Sequence, residues 1–160
     1  MRKVIVNSTP IIILSNAQSL SILKAVYQEI TIPESVFNEV TAKEDSVCNE
    51  LKNNLDWIHI EKVKNESSKR MYQAKLHAGE VEVMILAQET NAGLVILDDN
   101  AAKKTAKFLG LTVTGTMGVL LKAKTLGIIS EVKPIIDKIR ENGFFITDEL
   151  YELVLKQAGE

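Results

Sequence analysis

Gly93-Leu-Val-Ile-Leu-Asp-Asp-Asn100 sets an apolar run directly against two aspartates, with a polar, alanine-containing stretch continuing to Phe108. Residues 93–97 carry no polar side chain, the pattern of a strand covered on both faces. The aspartates then mark its carboxyl end, and a helix is expected from there through Phe108. Working outward, residues 111–114 read as a last parallel-type strand. Gly115-Thr-Met-Gly118 is expected to make a tight turn into another helix, with further helical patterns over 130–141 and 147–157.

On the other side, residues 80–90 hold Val81, Val83, Met84, Ile85, Leu86 and Ala87, which predicts a central, buried helix. Residues 3–6 are short and β-branched, and Asn7 to Pro10 offer an N-cap and a proline for the first helical position. Ile11–Leu14 and Leu20–Val26 predict two short helices broken near 16–19. Residues 29–32 read as a strand. Pro33 then opens a helix whose Val36, Phe37 and Val40 share one face. A polar helix is expected over 46–55, a strand or sheet edge over Trp57–Ile60, and a polar helix over 64–77. This alternation predicts an α/β fold, a mostly parallel sheet covered on both faces in a single domain over 1–160. In such sheets ligands lie beyond the carboxyl ends of strands, which gives priority to Asn7, Asp98, Asp99 and the 114–116 turn.

Composition narrows the function classes. Charged residues at 25% and apolar residues at 46% of 160 are ordinary for a folded domain, not for a disordered or disulfide-built one. Nineteen basic against 21 acidic residues leave a formal charge of −2, so nucleic acid would have to be met by a local patch. Cys48 has no partner for a disulfide, and Cys48, His59 and His77 lie too far apart for a zinc motif, in keeping with a reducing cytoplasm. Asn7 to Pro10 break the initial apolar run well short of a span, so neither export nor membrane insertion is expected.

The acids carry the chemistry. One aspartate after residue 97 is expected as a helix cap, and the second is surplus to that need. Glu80 tops the apolar face formed with Val83, Met84 and Ala87, although first-turn dipole complementation also accounts for it; Glu82 and Glu89 share another face. Glu39 flanks the Val36 and Val40 stripe and reads equally as a solvated helix residue. Two carboxylates brought to about 4 Å repel by roughly 4 kcal/mol at an effective dielectric near 20, so convergence calls for a hard cation such as Mg2+ or Mn2+. That chemistry belongs to a metal-dependent nuclease or phosphatase. Lys103, Lys104 and Lys107 are candidate phosphate contacts or a solvated basic face, and Ser8 and Thr116 candidate hydroxyl contacts, with N-capping the alternative for Ser8 and Thr9. Gly115-Thr-Met-Gly118 lacks a P-loop lysine, His59 and His77 read as structural, Trp57 and Tyr72 as core or interface anchors, and no nucleophilic triad is evident. A phosphoaspartate receiver would need its acidic pair after the first strand, not a later one.

Val4-Ile-Val-Asn-Ser-Thr-Pro-Ile-Ile12, Ile32-Pro-Glu-Ser-Val-Phe-Asn-Glu39, Gly79-Glu80, Leu97-Asp-Asp99, Gly110-Leu-Thr-Val-Thr-Gly-Thr-Met-Gly118 and, near the end, Gly143 with Thr147-Asp-Glu-Leu-Tyr151 together resemble the PIN-domain nucleases of the DUF3368 branch. The resemblance spans nearly the whole chain. It implies a PIN-like three-layer α/β/α sandwich and a metal-dependent endoribonuclease of the VapC toxin type, with RNA as substrate, an antitoxin as partner and a homodimer. It also implies an acidic cluster at Asn7, Glu39, Glu80 and the Asp98-Asp99 pair, with Asp99 the better match to the family pattern. Asn7 stands where the family carries its first acid. An amide oxygen brings no charge to hold a cation, which leaves a catalytically weak RNA- or antitoxin-binding module as the alternative.

Overall fold

The computed structural model describes residues 2–65 and 77–160. The helix expected over 64–77, with Tyr72, falls mostly outside the described residues.

The described elements alternate as expected. Strand β1 (Val4–Val6) leads into α1 (Ser8–Asn16) and α2 (Ser21–Tyr27); β2 (Ile30–Pro33) leads into α3 (Glu34–Thr41) and α4 (Ser46–Lys52), and β3 (Ile58–Glu61) follows. Then come α5 (Ala78–Glu89), β4 (Leu94–Ile96), α6 (Asn100–Phe108), β5 (Val113–Thr114), α7 (Thr116–Thr125), α8 (Lys133–Glu141) and α9 (Asp148–Ala158). The strands form one sheet in the order β3-β2-β1-β4-β5, and every pairing is parallel. Val6 stands opposite Ile96, and Ile96 opposite Thr114, so the carboxyl ends of β1, β4 and β5 are level.

Two local expectations are corrected. Pro33 does not open α3: it is the last residue of β2, paired with Glu61, and its extended backbone makes it the N-cap of a helix that starts at Glu34. Gly115-Thr-Met-Gly118 is not a separate tight turn either. Gly115 is the N-cap of α7, and Thr116 to Gly118 are already its first turn.

The apolar pattern of α5 places it at the centre of the core. Val81 and Val83 through Ala87 are buried, and the helix lies against β1, β2 and β4 with α3 beside it. Helices α2 and α7 pack together, α2 on β2 and α7 on β5, completing a three-layer α/β/α sandwich. Short helices need their free amides satisfied. Asp45 accepts from Cys48 N at the start of α4 and Thr147 from Leu150 N at the start of α9, while the Glu160 carboxylate accepts from Val132 N and Lys133 N at the start of α8. Among the described residues no single helix is long and apolar enough to cross a membrane.

Candidate active site at the carboxyl ends of β1 and β4

Strand β1 has β2 on one side and β4 on the other, so the strand order reverses between β1 and β4, and in such sheets ligands bind beyond the carboxyl ends of the strands at that switch point. Asn7 follows β1 there, its amide donating to Ile96 O at 2.9 Å. It occupies the N-cap position of α1 yet makes no side-chain cap bond. The side chain is buried, with the residue only 4% exposed, and Oδ1 has no hydrogen-bond partner. An unpartnered buried acceptor costs about 1–3 kcal/mol, so this oxygen invites a ligand.

Gly79 explains the space beside it. A Cβ on Gly79 would lie 3.5 Å from Asn7 Oδ1, 3.7 Å from Glu39 Oε2 and 3.6 Å from Val36 Cγ2. The bare glycine therefore faces both the orphaned oxygen and the Glu39 carboxylate, which α3 carries one turn beyond Val36.

Glu80, the next residue, is 7% exposed, and its Oε2 accepts from His77 N at 3.1 Å. Burial pushes its pKa above the ordinary glutamate value; the bond from the His77 amide opposes this, while the nearby charges of Asp99 and Glu39 push it further up. The charges of Asp99 and Glu39 thus both bear on Glu80. Asp99 is the N-cap of α6, its Oδ1 accepting from Ala102 N at 3.0 Å. Asp99 thus caps α6 and also bears on the charge of Glu80.

Asp98, the apparent surplus, has a different partner. Its Oδ1 accepts from Thr116 N at 2.8 Å and its Oδ2 from Thr116 Oγ1 at 2.7 Å. Gly115, the N-cap of α7, has no side chain with which to bond that amide, so Asp98 supplies the cap from across the sheet end. Thr116 is 1% exposed and its hydroxyl is donated to Asp98. Ser8 is buried at the start of α1.

The three lysines separate. Lys103 is half-buried, and a Cβ on Gly115 would fall 2.7 Å from both its Nζ and Asp98 Oδ1, so the ammonium sits over the bare glycine at the sheet end. Lys104 and Lys107 are exposed, and Lys107 lies about 6 Å further along α6 at a rise of 1.5 Å per residue.

Two contributors escaped sequence reasoning. Gly79 was read only as part of a motif, although a glycine before a buried glutamate is a signal of close approach. Glu82, on a different helical face from Glu80, is 7% exposed, and its Oε1 accepts from Ser35 N at 3.3 Å. A second acid in an otherwise apolar helix was the available signal.

The family model DUF3368, a PIN domain, matches residues 3–160. This chain belongs to the PIN-domain family. The match covers every strand and helix described above, and the three-layer sandwich is the PIN fold. None of the curated proteins compared with it matches the chain.

PIN domains are nuclease-type folds and generally depend on divalent metals. Among the described residues, no three His, Cys, Asp or Glu side chains are already gathered as ligands. The donor set nevertheless fits a hard cation. It is all oxygen, it includes an orphaned buried Oδ1 facing an open glycine, and Glu80, buried and repelled by the charges of Asp99 and Glu39, is a carboxylate that a cation would relieve.

Proposed function

We propose that this PIN domain is an Mg2+- or Mn2+-dependent endoribonuclease that hydrolyses RNA phosphodiesters in the cytoplasm, as the toxin of a toxin-antitoxin pair. Asn7, Glu39, Glu80 and Asp99 would hold the cation. The single observation carrying this reading is the unpartnered, buried Asn7 Oδ1 facing Gly79 together with the Glu39 carboxylate, directly before the buried Glu80. When bound, the ion supplies positive charge and Lewis acidity toward the phosphate.

The chain's own residues do the rest. Lys103 presents an ammonium at the sheet end, where it meets a phosphate oxygen and orients the RNA backbone; Lys104 and Lys107 are free to extend that contact outward. Asp98 holds the first turn of α7 through Thr116, which keeps the floor beneath Lys103 fixed. Ser8, at the start of α1 beside Asn7, is the hydroxyl nearest in sequence to the orphaned oxygen. The family resemblance is what supports RNA as the substrate, an antitoxin as partner and a homodimer.

Asn7 favours one second reading, a module that binds RNA or an antitoxin without efficient cleavage, because an amide contributes no charge to the cluster. Cleavage of a fluorophore- and quencher-labelled single-stranded RNA decides between them. The nuclease reading expects cleavage with Mn2+ or Mg2+, none with EDTA, and a loss of at least a hundredfold in Glu80→Ala. RNA binding without cleavage in either metal, by a protein whose melting temperature ignores both, establishes the module instead.

A further inference from the structure

Helix α3 carries Glu39 into the site, yet its start is poorly provided for. Its N-cap is Pro33, which has no side-chain acceptor, and the Ser35 hydroxyl is buried without a partner. The free amide of Ser35 is met from another helix: Glu82 Oε1 accepts it at 3.3 Å from α5. One turn earlier on α5, Gly79 lies against Val36 and Glu39 of α3. The contacts pair 82 with 35 and 79 with 36 and 39, so the two helices pass in opposite chain sense and are fixed at two points. One is a bare glycine that admits close approach. The other is the carboxylate of Glu82, a residue 7% exposed, whose Oε1 accepts from the first turn of α3.

A contact between a glycine and aliphatic surface is smooth and does not by itself fix how far α3 slides along α5. The charged acceptor on the Ser35 amide does, because displacement of α3 by one residue exchanges the amide it holds. Glu39 lies four residues, about 6 Å, further along the same rigid helix. We propose that Glu82 is a positioning residue: by clamping the first turn of α3 onto α5, it sets the Glu39 carboxylate beside Glu80 and Asn7. The proposal rests on the metal-dependent reading above, and it assigns the two buried acids of α5 opposite tasks. Glu80 belongs to the cluster, and Glu82 holds the helix that delivers the cluster's other glutamate.

The test compares Glu82→Gln, which keeps an acceptor for the Ser35 amide but loses the charge, with Glu82→Ala, which loses both. Two readouts are taken on the full chain: the Mn2+ concentration giving half of the maximal thermal shift, and hydrogen exchange at the Ser35 amide without metal. The expected result is a tenfold or greater rise in the Mn2+ half-point for Glu82→Ala and less than threefold for Glu82→Gln, with Ser35 exchange accelerated in the alanine variant and largely retained in the glutamine variant. Equal damage from Gln and Ala in the Mn2+ half-point makes Glu82 a direct ligand and overturns the proposal. So does a lowered metal-free melting temperature with an unchanged half-point. A parent protein without any Mn2+ response refutes the metal reading, and unchanged Ser35 exchange in Glu82→Ala refutes the clamp.

Discussion

Asp98 spends both carboxylate oxygens on Thr116, one on its amide and one on its hydroxyl, tying the end of β4 to the first turn of α7. Hydrogen bonds to a charged acceptor contribute about 1.5–3 kcal/mol, and Thr116 is too deeply buried for water to replace them. Asp98→Ala is therefore expected to lower unfolding free energy by roughly that amount, and Asp98→Asn by less, because the amide can still accept from Thr116 N. The Mn2+-induced thermal shift separates the neighbours. It is expected to survive Asp98→Asn and to be lost in Asp99→Asn, where asparagine keeps the cap of α6 but removes a charge from the cluster. Denaturant unfolding with and without Mn2+ reads both; a shift lost only in Asp98→Asn reverses the assignment.

Glu80 gives a pH dependence with a definite sign. Its folded pKa lies above the ordinary glutamate value, first because of burial and further because of Asp99 and Glu39. Between the unfolded and folded values the native state binds more protons than the unfolded one, so this group's contribution becomes less favourable as pH rises through that window. The free energy of metal-free parent minus that of Glu80→Gln should therefore fall from acid toward neutral pH and level off above the folded pKa. Urea unfolding of both proteins across the carboxylate range checks this. A difference that rises with pH contradicts the burial and repulsion described for Glu80.

The alternation of strands and helices in one parallel sheet, and the place of Asp98 and Asp99 after a strand, were legible because period and polarity change together at 93–100, where a buried strand stops on two acids. The division of labour within Asp98-Asp99 was not legible. It depends on Gly115, seventeen residues after Asp98, having no side chain to cap its own helix, a long-range need that local pattern does not carry. Pro33 was misplaced by one residue for a related reason: its fixed φ suits both a strand end and a helix start, and the pairing with Glu61 decides. Glu82 was overlooked because exposure is the ordinary fate of glutamate, and only the neighbouring helix reveals the amide it serves. The lysines showed the opposite difficulty. Their spacing was plain, but that Lys103 rather than Lys104 or Lys107 lies over the sheet end shows only in its approach to Gly115.

Asn7→Asp tests the charge count. The new carboxylate would replace an amide whose Oδ1 shares the Gly79 face with Glu39, adding a negative charge to a cluster that already repels itself. Metal-free stability is expected to fall and Mn2+ affinity to rise by at least about tenfold, equivalent to about 1.4 kcal/mol. Melting temperature with and without Mn2+ measures both changes, which must move in opposite directions. If neither changes, Asn7 lies outside the cluster's field.

Gly79→Ala separates the space from the charges. At 3.5–3.7 Å from Asn7 Oδ1, Val36 Cγ2 and Glu39 Oε2 the added methyl makes ordinary van der Waals contact, so the fold accommodates it. Within a helix, alanine is also favoured over glycine by about 0.8–1 kcal/mol, less in the first turn where Gly79 stands. Metal-free stability should thus be retained or slightly raised. The methyl nevertheless stands between the two oxygens that face the glycine, where a cation would need to approach them. The expected outcome is a protein that melts at or above the parent temperature without metal, shows a Mn2+ shift reduced severalfold or lost, and cleaves RNA correspondingly more slowly. An undiminished Mn2+ shift would mean that the ion approaches Glu80 and Asp99 from a side that does not involve Asn7 and Glu39.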